Sequence, residues 1–457
     1  MTTPDAPKVQ AADRGSFARA VLVLVSGTAL AQALSAAALP VLSRLYSPTD
    51  FGMLAVFASV LSIFSVAACL RYELAVPLPE NDSDAINLVA LAVVCALGIS
   101  SLLALPTLIA PDWIAKKLGQ PALAPHLWLL PIGVFLTGFY SVLQFWFVRR
   151  KGFTLLARTR IAQSACSAGT QIGFGWWTLA GPLGLLLGYV MNSGIACLTL
   201  GWQLIRFVPQ LSWAGMRVVA LEYRRFPKYS TMEALANSAS IQVPIVMIAA
   251  LAAPAEAGYL MMAMFVMQAP MSLIGTAISQ VFLSKAAQEY RRDSLGAFTT
   301  EVLIGLLRAG VGPLLAAAIL SPTLFSIALG ANWQRAGYLV VWMTPWYIMQ
   351  FISSPISMAL HVSGHQGRAF FLQAAGLLIR VCAVLAATAI APSALSEAYA
   401  VSGFVAYGAY LVVILWSVNI PVRKLSGSIR EVILISSCWI AGAESILFLI
   451  NYLRPHQ

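Results

Sequence analysis

SGTALAQALSAAALPVLSRLYSPTDFGMLAVFASVLSIFSVAACLRYELAVPLPE, residues 26–80, holds two long apolar runs joined by the polar turn Arg44–Gly52. A helix rises about 1.5 Å per residue and the hydrocarbon layer of a bilayer is about 30 Å thick, so a membrane helix needs about 20 apolar residues in a row. A soluble core helix does not. The second run ends on Arg71-Tyr72-Glu73, which places a cation and a carboxylate close to lipid depth.

The rest of the chain follows the same pattern. Its 457 residues are 60% hydrophobic and only 10% charged, with a mean hydropathy of +0.82. Soluble proteins carry about 25% charged residues, so this is a polytopic, all-α membrane protein. The net charge of +11 does not point to nucleic acid, because the basic residues sit in short loops between apolar runs and read as topology signals. Cys69, Cys95, Cys166, Cys197, Cys382 and Cys438 all fall in apolar runs without a CxxC pair. They read as small buried hydrophobes rather than disulfides or metal ligands. The polar residues 1–15 read as a disordered tail, and the first apolar run is too long for the core of a signal peptide.

Thirteen spans are expected, at about 20–42, 52–76, 86–109, 124–148, 157–179, 182–205, 230–253, 257–283, 302–321, 337–360, 368–391, 395–418 and 430–453. The fifth is polar, with Gln163, Ser164, Ser167, Thr170 and Gln171. The last either spans, which makes thirteen, or lies flat or re-enters, which leaves a core of twelve. With the N-terminus in the cytoplasm, most of the 28 Lys and Arg residues fall on inner segments, among them Arg149-Arg150-Lys151 and Arg224-Arg225 with Lys228. The outer segments hold Arg44, Lys116, Lys117, Arg335 and Arg454. That bias sets the orientation.

The expected organisation is a cytoplasmic tail (1–19), an N-lobe of helices 1–6 (20–205), an inter-lobe linker (206–229), a C-lobe of helices 7–12 (230–418), and a basic loop with an additional helix (419–457). The linker is basic and aromatic and suits an interfacial amphipathic helix. The halves echo each other. Pro48, Asp50 and Gly52 precede the second helix, and Pro254, Glu256 and Gly258 precede the eighth at the same spacing. Proline near the N-cap and an acid in the first turn are general helix-start chemistry. The matching place of the turn in each half nevertheless argues for a parallel repeat, and transporters often place a substrate site between such halves.

Catalytic signals are scarce. There is no Walker A, GxSxG or HExxH pattern, and the short outer loops leave little room for an enzyme acting on glycans, so neither catalytic residues nor a cofactor is expected. His361 and His365 have the spacing of a helical ligand pair, but Gly364 and Gly367 break up that stretch and it reads as a loop, so no metal is expected. Charges inside spans are costly and usually face a cavity or a partner. Arg380 lies mid-span in the eleventh run, where it either pairs with Glu444 or faces a central cavity. Arg71 either snorkels to the inner interface or serves function. Gln32, Asn237, Gln268 and Gln280 add polar groups at depth. The candidate substrate-binding residues are therefore Arg71, Arg380, Gln32, Asn237, Gln268 and Gln280, with guanidinium groups suited to a diphosphate. Glu73 and Glu233 are the candidates to carry a coupling H+ or Na+.

The pieces GTxxAQ, RLYSPxDFG and RYExAxxLP, with Gln144–Gly175, closely resemble bacterial polysaccharide transporters. These are the O-antigen and exopolysaccharide repeat-unit flippases of the multidrug/oligosaccharidyl-lipid/polysaccharide exporter superfamily. The likeness is strong over about residues 20–205 and diffuse afterwards. It implies two six-helix lobes related by pseudo-two-fold symmetry in a V-shaped bundle of twelve core helices, and the thirteenth run departs from that plan. It also implies ion-coupled alternating access, export of undecaprenyl-diphosphate-linked oligosaccharides across the bacterial cytoplasmic (inner) membrane for surface polysaccharide or lipopolysaccharide, and a polymerase and chain-length regulator as partners. Two rivals remain. A drug–cation antiporter of the same superfamily would favour an acidic, aromatic cavity, and a membrane glycan polymerase or ligase would favour larger outer loops.

Overall fold

The computed structural model describes residues 7–453 except 178–180, 205–210, 272–274, 364–365, 419 and 421–422. The described residues are predominantly helical, without strands. Among the described residues, ten helices are long and apolar enough to cross a bilayer. They correspond to the expected spans other than the fifth, eighth and tenth.

Helix α1 (Pro7–Leu45) begins within the expected tail and runs to the Arg44–Gly52 turn. Helix α2 (Pro48–Ala68) starts where Pro48 occupies the first helical position, with its missing N–H among groups that would lack a partner anyway. The Ser47 N–H donates to Asp50 Oδ2 at 2.9 Å, and the Asp50 N–H donates back to Ser47 Oγ at 3.2 Å. This reciprocal cap explains the SPTD string. Helix α2 stops at Ala68, short of the expected end at 76. Leu70 and Arg71 adopt left-handed φ values of 48° and 62°, which no helix continues through, and a 3-10 turn follows over Tyr72–Ala75.

Contacts divide the chain into two compact units. The first comprises residues up to Leu45, Val60–Lys116 and Pro121–Leu235. It holds α1, the end of α2, α3 (Asp82–Ile109), nearly all of α4 (Pro111–Lys117), α5 (Leu129–Arg149), α6 (Phe153–Trp177), α7 (Leu183–Leu204), α8 (Trp213–Glu222) and the first residues of the helix that follows. The polar α6 folds as one helix because its polar side chains find partners on α1 and α7. Ser35 Oγ donates to Ser164 at 3.3 Å, Arg160 to Thr28 at 2.5 Å, and Gln163 Nε2 to Asn192 Oδ1 at 3.2 Å. Gly27 permits the approach, since a Cβ there would stand 2.7 Å from that of Ala157. At the end of α5, Arg149 donates to the carbonyls of Pro77, Pro79 and Glu80 and to Asp82. This ties the LPEND loop to the FVRR end of α5.

The second unit comprises Tyr46–Ser59, Lys117–Gln120 and the chain from Ala236 onward. Its helices are α9 (Thr231–Leu251), α10 (Glu256–Pro270), α11 (Thr276–Arg291), α12 (Leu295–Ala328), α13 (Gln334–Ser353), α14 (Met358–Val362), α15 (Gln366–Ile390), α16 (Leu395–Ser417) and α17 (Arg423–Leu453). Of the expected eighth span the structure describes α10 and α11, on either side of residues outside the described set, and the tenth divides into α13 and α14 at a turn. The two repeated turns meet here. A Cβ on Gly52 would overlap the Pro254 carbonyl oxygen, and one on Gly258 would overlap that of Pro48. This reciprocal backbone contact is open only to glycine. Phe51 and Tyr259 set their rings edge-on to the buried Trp333, at centroid distances of 5.0 and 6.0 Å. Gln120 Nε2 donates to the Pro254 carbonyl at 3.2 Å. Gly119, at φ +71°, lies where a Cβ would overlap Ala249 and Ala250.

The last apolar run is a continuous 31-residue helix, α17, rather than a re-entrant segment. It lies on α12, where Gly312 leaves room for Trp439 and Arg308 pairs with Glu431. Cys382 and Cys438 are exposed, unlike the buried Cys69 and Cys197. They are therefore not the buried hydrophobes expected of every cysteine. His361 and His365 lie outside the described side chains.

Candidate substrate and coupling sites

In the first unit, the break after α2 creates a polar site. Arg71 turns back over the 3-10 turn, and its Nη1 lies 3.5 Å from Glu73 Oε1. Glu73 is 3% exposed, whereas the Arg71 side chain is 28% exposed. The pairing is incomplete, because Glu73 Oε2 and Arg71 Nε are buried without hydrogen-bond partners. Burial pushes the Glu73 carboxyl above the usual carboxylate range, while a hydrogen bond from its own backbone and the Arg71 charge pull the other way. A buried carboxylate beside a partly exposed guanidinium is suited to exchange a proton, and losing the carboxylate charge frees the cation for another anion. Tyr72, between them, donates from its hydroxyl to the Ala220 carbonyl at 3.3 Å.

In the second unit, Arg380 of α15 is 4% exposed. Its Nη1 donates to the Ser240 carbonyl of α9 at 3.4 Å. Its guanidinium carbon lies 5.5 Å from the Trp346 ring and 5.6 Å from the Tyr407 ring. Trp346 in turn stands 5.3 Å from Tyr347 and 5.1 Å from Tyr399. Arg380 Nε is buried without a partner, and no carboxylate pairs with the group among the described residues. Glu444 is exposed on α17, so the expected alternative of an Arg380–Glu444 ion pair is not formed. Aromatic faces attract a guanidinium but do not neutralise it, and a buried cation without a counter-ion is costly. The arrangement therefore favours an anion reaching Arg380.

Gln32, half-buried on α1, belongs to the first unit with Arg71, Glu73 and the exposed Glu233. Asn237 and Gln268 are exposed in the second unit. Asn237 stands one turn before the Ser240 carbonyl, and Ser240 Oγ donates back to the Asn237 carbonyl at 2.7 Å. Gln280 lies on α11, with its side chain outside the described set.

Sequence reasoning missed the aromatic cage. Its signal was Tyr399-x3-Gly403-x3-Tyr407, which places three residues on one helical stripe. Gly403 makes room for the indole of Trp346, since a Cβ there would overlap the ring. Arg335 was missed as well. It reads as an outer-loop charge, yet it bridges Glu256 at 2.9 Å and Glu397 at 2.6 Å, tying together the starts of α10, α13 and α16. Among the described residues no His, Cys, Asp and Glu cluster could hold a metal ion.

The sequence matches the family described as polysaccharide biosynthesis protein over residues 41–337. No curated protein matches it. The fold is similar to that of the lipid II flippase MurJ in an inward closed conformation, with a TM-score of 0.69 and 14% identity, covering 95% of this chain and 93% of that one. It is also similar to a multidrug resistance MATE family transporter of the MOP superfamily in an inward-facing conformation, with a TM-score of 0.55 and 13% identity over 89% of this chain and 94% of that one. A third likeness is to a MOP superfamily transporter from Pyrococcus furiosus, described as having a binding pocket of reverse polarity, with a TM-score of 0.53 and 14% identity over 88% of this chain and 95% of that one. At such identities the likeness speaks for the fold alone.

Proposed function

This chain belongs to the polysaccharide biosynthesis protein family, and from that premise we propose that it flips undecaprenyl-diphosphate-linked oligosaccharide repeat units across the bacterial cytoplasmic membrane for surface polysaccharide synthesis. A polar glycan does not cross hydrocarbon unaided. A protein that shelters the sugar while the polyprenyl tail stays in lipid removes most of that barrier. The observation that carries the reading is Arg380, a buried cation caged by aromatic rings and lacking a carboxylate. A diphosphate supplies the missing charge and accepts paired hydrogen bonds. An organic cation would instead call for a carboxylate there, which speaks against the antiporter reading.

Movement is driven by a coupling ion, and Glu73 is the group that carries it as a proton. With Glu73 ionised, Arg71 is held at the turn. With Glu73 protonated, Arg71 is released to meet a diphosphate at the cytoplasmic mouth. The bias of Lys and Arg toward one set of loops supports a cytoplasmic N-terminus. A polymerase and a chain-length regulator would take the product on the far side.

The test is a deletion strain complemented with Arg380→Gln and Arg380→Lys. Lipid-linked repeat units should accumulate on the cytoplasmic face in the deletion and with Arg380→Gln, and their mass identifies the glycan. Lys keeps the charge but loses the paired geometry, so partial rescue is expected. Full surface polysaccharide with Arg380→Gln would refute the anion site. Drug resistance without any change in surface glycan would refute the flippase reading.

A further inference from the structure

Helix α8 carries apolar side chains on both of its faces, and only one of the faces is covered by protein. The inner face is docked on α3. Met216 and Val219 are buried. Asn87, buried on α3, accepts the Ser212 N–H at 2.9 Å, and Gly215 passes so close to the Asn87 amide that a Cβ would overlap it. Ser212 caps the helix by accepting the Gly215 N–H at 3.4 Å. The outer face carries Trp213, Val218 and Leu221, which are 65%, 62% and 69% exposed. Trp213, Arg217 and Leu221 fall at i, i+4 and i+8 along one stripe. Beyond the helix come Arg224, Arg225 and Lys228, all exposed like Arg217, with Tyr229 at 62% exposure. None of these four cations is in an ion pair among the described residues. Glu222 is the single acid between residues 211 and 230.

An apolar stripe bordered by unpaired cations suits the boundary between acyl chains and headgroups, where the rings and aliphatic stems sink and the charges meet phosphate. We propose that α8 and the Arg224–Lys228 segment form a docking surface for the anionic phospholipids of the bilayer, and that its occupancy acts on the strained Leu70–Glu73 turn. The link is direct. The Ala220 carbonyl of α8 accepts the hydroxyl of Tyr72, the residue between Arg71 and Glu73. The two anchors on α8, Asn87 near its start and Tyr72 near its end, make the helix one rigid piece between the lipid surface and that turn. The occupant follows from charge and apolar character. Four cations with one acid call for anions, and exposed Trp, Val and Leu call for hydrocarbon in the same place, a combination that a phospholipid offers.

The test does not depend on transport, so its failure and that of the flippase reading are distinguishable. The full chain is placed in nanodiscs of phosphatidylcholine alone or of phosphatidylcholine with phosphatidylglycerol, and amide hydrogen exchange is followed. Phosphatidylglycerol should slow exchange over residues 213–222 by at least about tenfold and should also slow it over 70–75. About 0.5 M salt should reverse much of the effect. The surface variant Arg217→Gln/Arg224→Gln/Arg225→Gln/Lys228→Gln should lose the response in both segments. Tyr72→Phe should keep it in α8 and lose it at 70–75. Equal exchange in the two lipid compositions, or an unchanged response in the quadruple variant, would overturn the docking surface. A response at 70–75 that survives Tyr72→Phe would overturn the coupling.

Discussion

Replacing Gly258 by alanine sets two opposing effects against each other. In an unobstructed helix the change stabilises by about 0.5–1 kcal/mol, because glycine loses more backbone freedom on folding. Gly258 is not unobstructed. Its new Cβ would overlap the Pro48 carbonyl oxygen and stand 2.8 Å from the Gly52 amide nitrogen. Both obstacles are backbone, so no side chain can rotate away and the two turns must separate. Overpacking of this kind costs about 1–3 kcal/mol, and rigid atoms on both sides place this case at the upper end. The net expectation is a loss of about 2 kcal/mol. Gly98→Ala serves as the control, since a Cβ there meets nothing within 4 Å on α3, and it should be neutral or stabilising. The assay is unfolding of the purified protein in detergent, with the variants side by side. Gly52→Ala meets the Pro254 carbonyl oxygen across the same contact, so once the turns are parted the second methyl adds little. The double variant should therefore fall well short of the sum of the singles. If Gly258→Ala is as stable as Gly98→Ala, or if the two turn variants simply add, the reciprocal contact does not hold these turns together.

Two further outcomes follow from the charged sites. Burial raises the folded-state pKa of Glu73 above its unfolded value, so its contribution to stability is full below the unfolded pKa and is lost as pH rises through the folded one. Glu73→Gln, which mimics the protonated carboxyl, should flatten that part of the pH–stability curve and make transport insensitive to pH over the same range. A curve identical to wild type would remove Glu73 from the coupling step. Arg335→Ala leaves Glu256 and Glu397, each mostly buried, facing one another without their cation. With Arg335 itself about a third exposed, a loss of about 1–3 kcal/mol is expected, with partial recovery in the triple variant that also carries Glu256→Gln and Glu397→Gln.

Membrane character, the approximate places of the spans and the helix starts were legible in the chain because each depends on local chemistry. A run of apolar residues spans wherever it sits, and Ser47-Pro48-Thr49-Asp50 caps a helix with its own side chains. The repeat of Pro, acid and Gly was legible too, as a spacing. That Gly52 and Gly258 touch was not, because it depends on where two turns 206 residues apart are brought by the folding of everything between them. The same holds for the charges. Arg71 and Glu73 are neighbours in sequence, so their pairing was foreseeable, but the helix break that buries one and leaves the other partly open came from left-handed φ values that no composition encodes. Arg380 was found as a charge in an apolar run. Its aromatic cage comes from α13 and α16, and its missing counter-ion became known only once Glu444 proved to lie exposed on α17. Sequence alone determined what must be buried in a membrane and which groups would be costly there. Tertiary structure decided what each costly group meets, because burial and partnership are properties of packed neighbours and not of a residue's place along the chain.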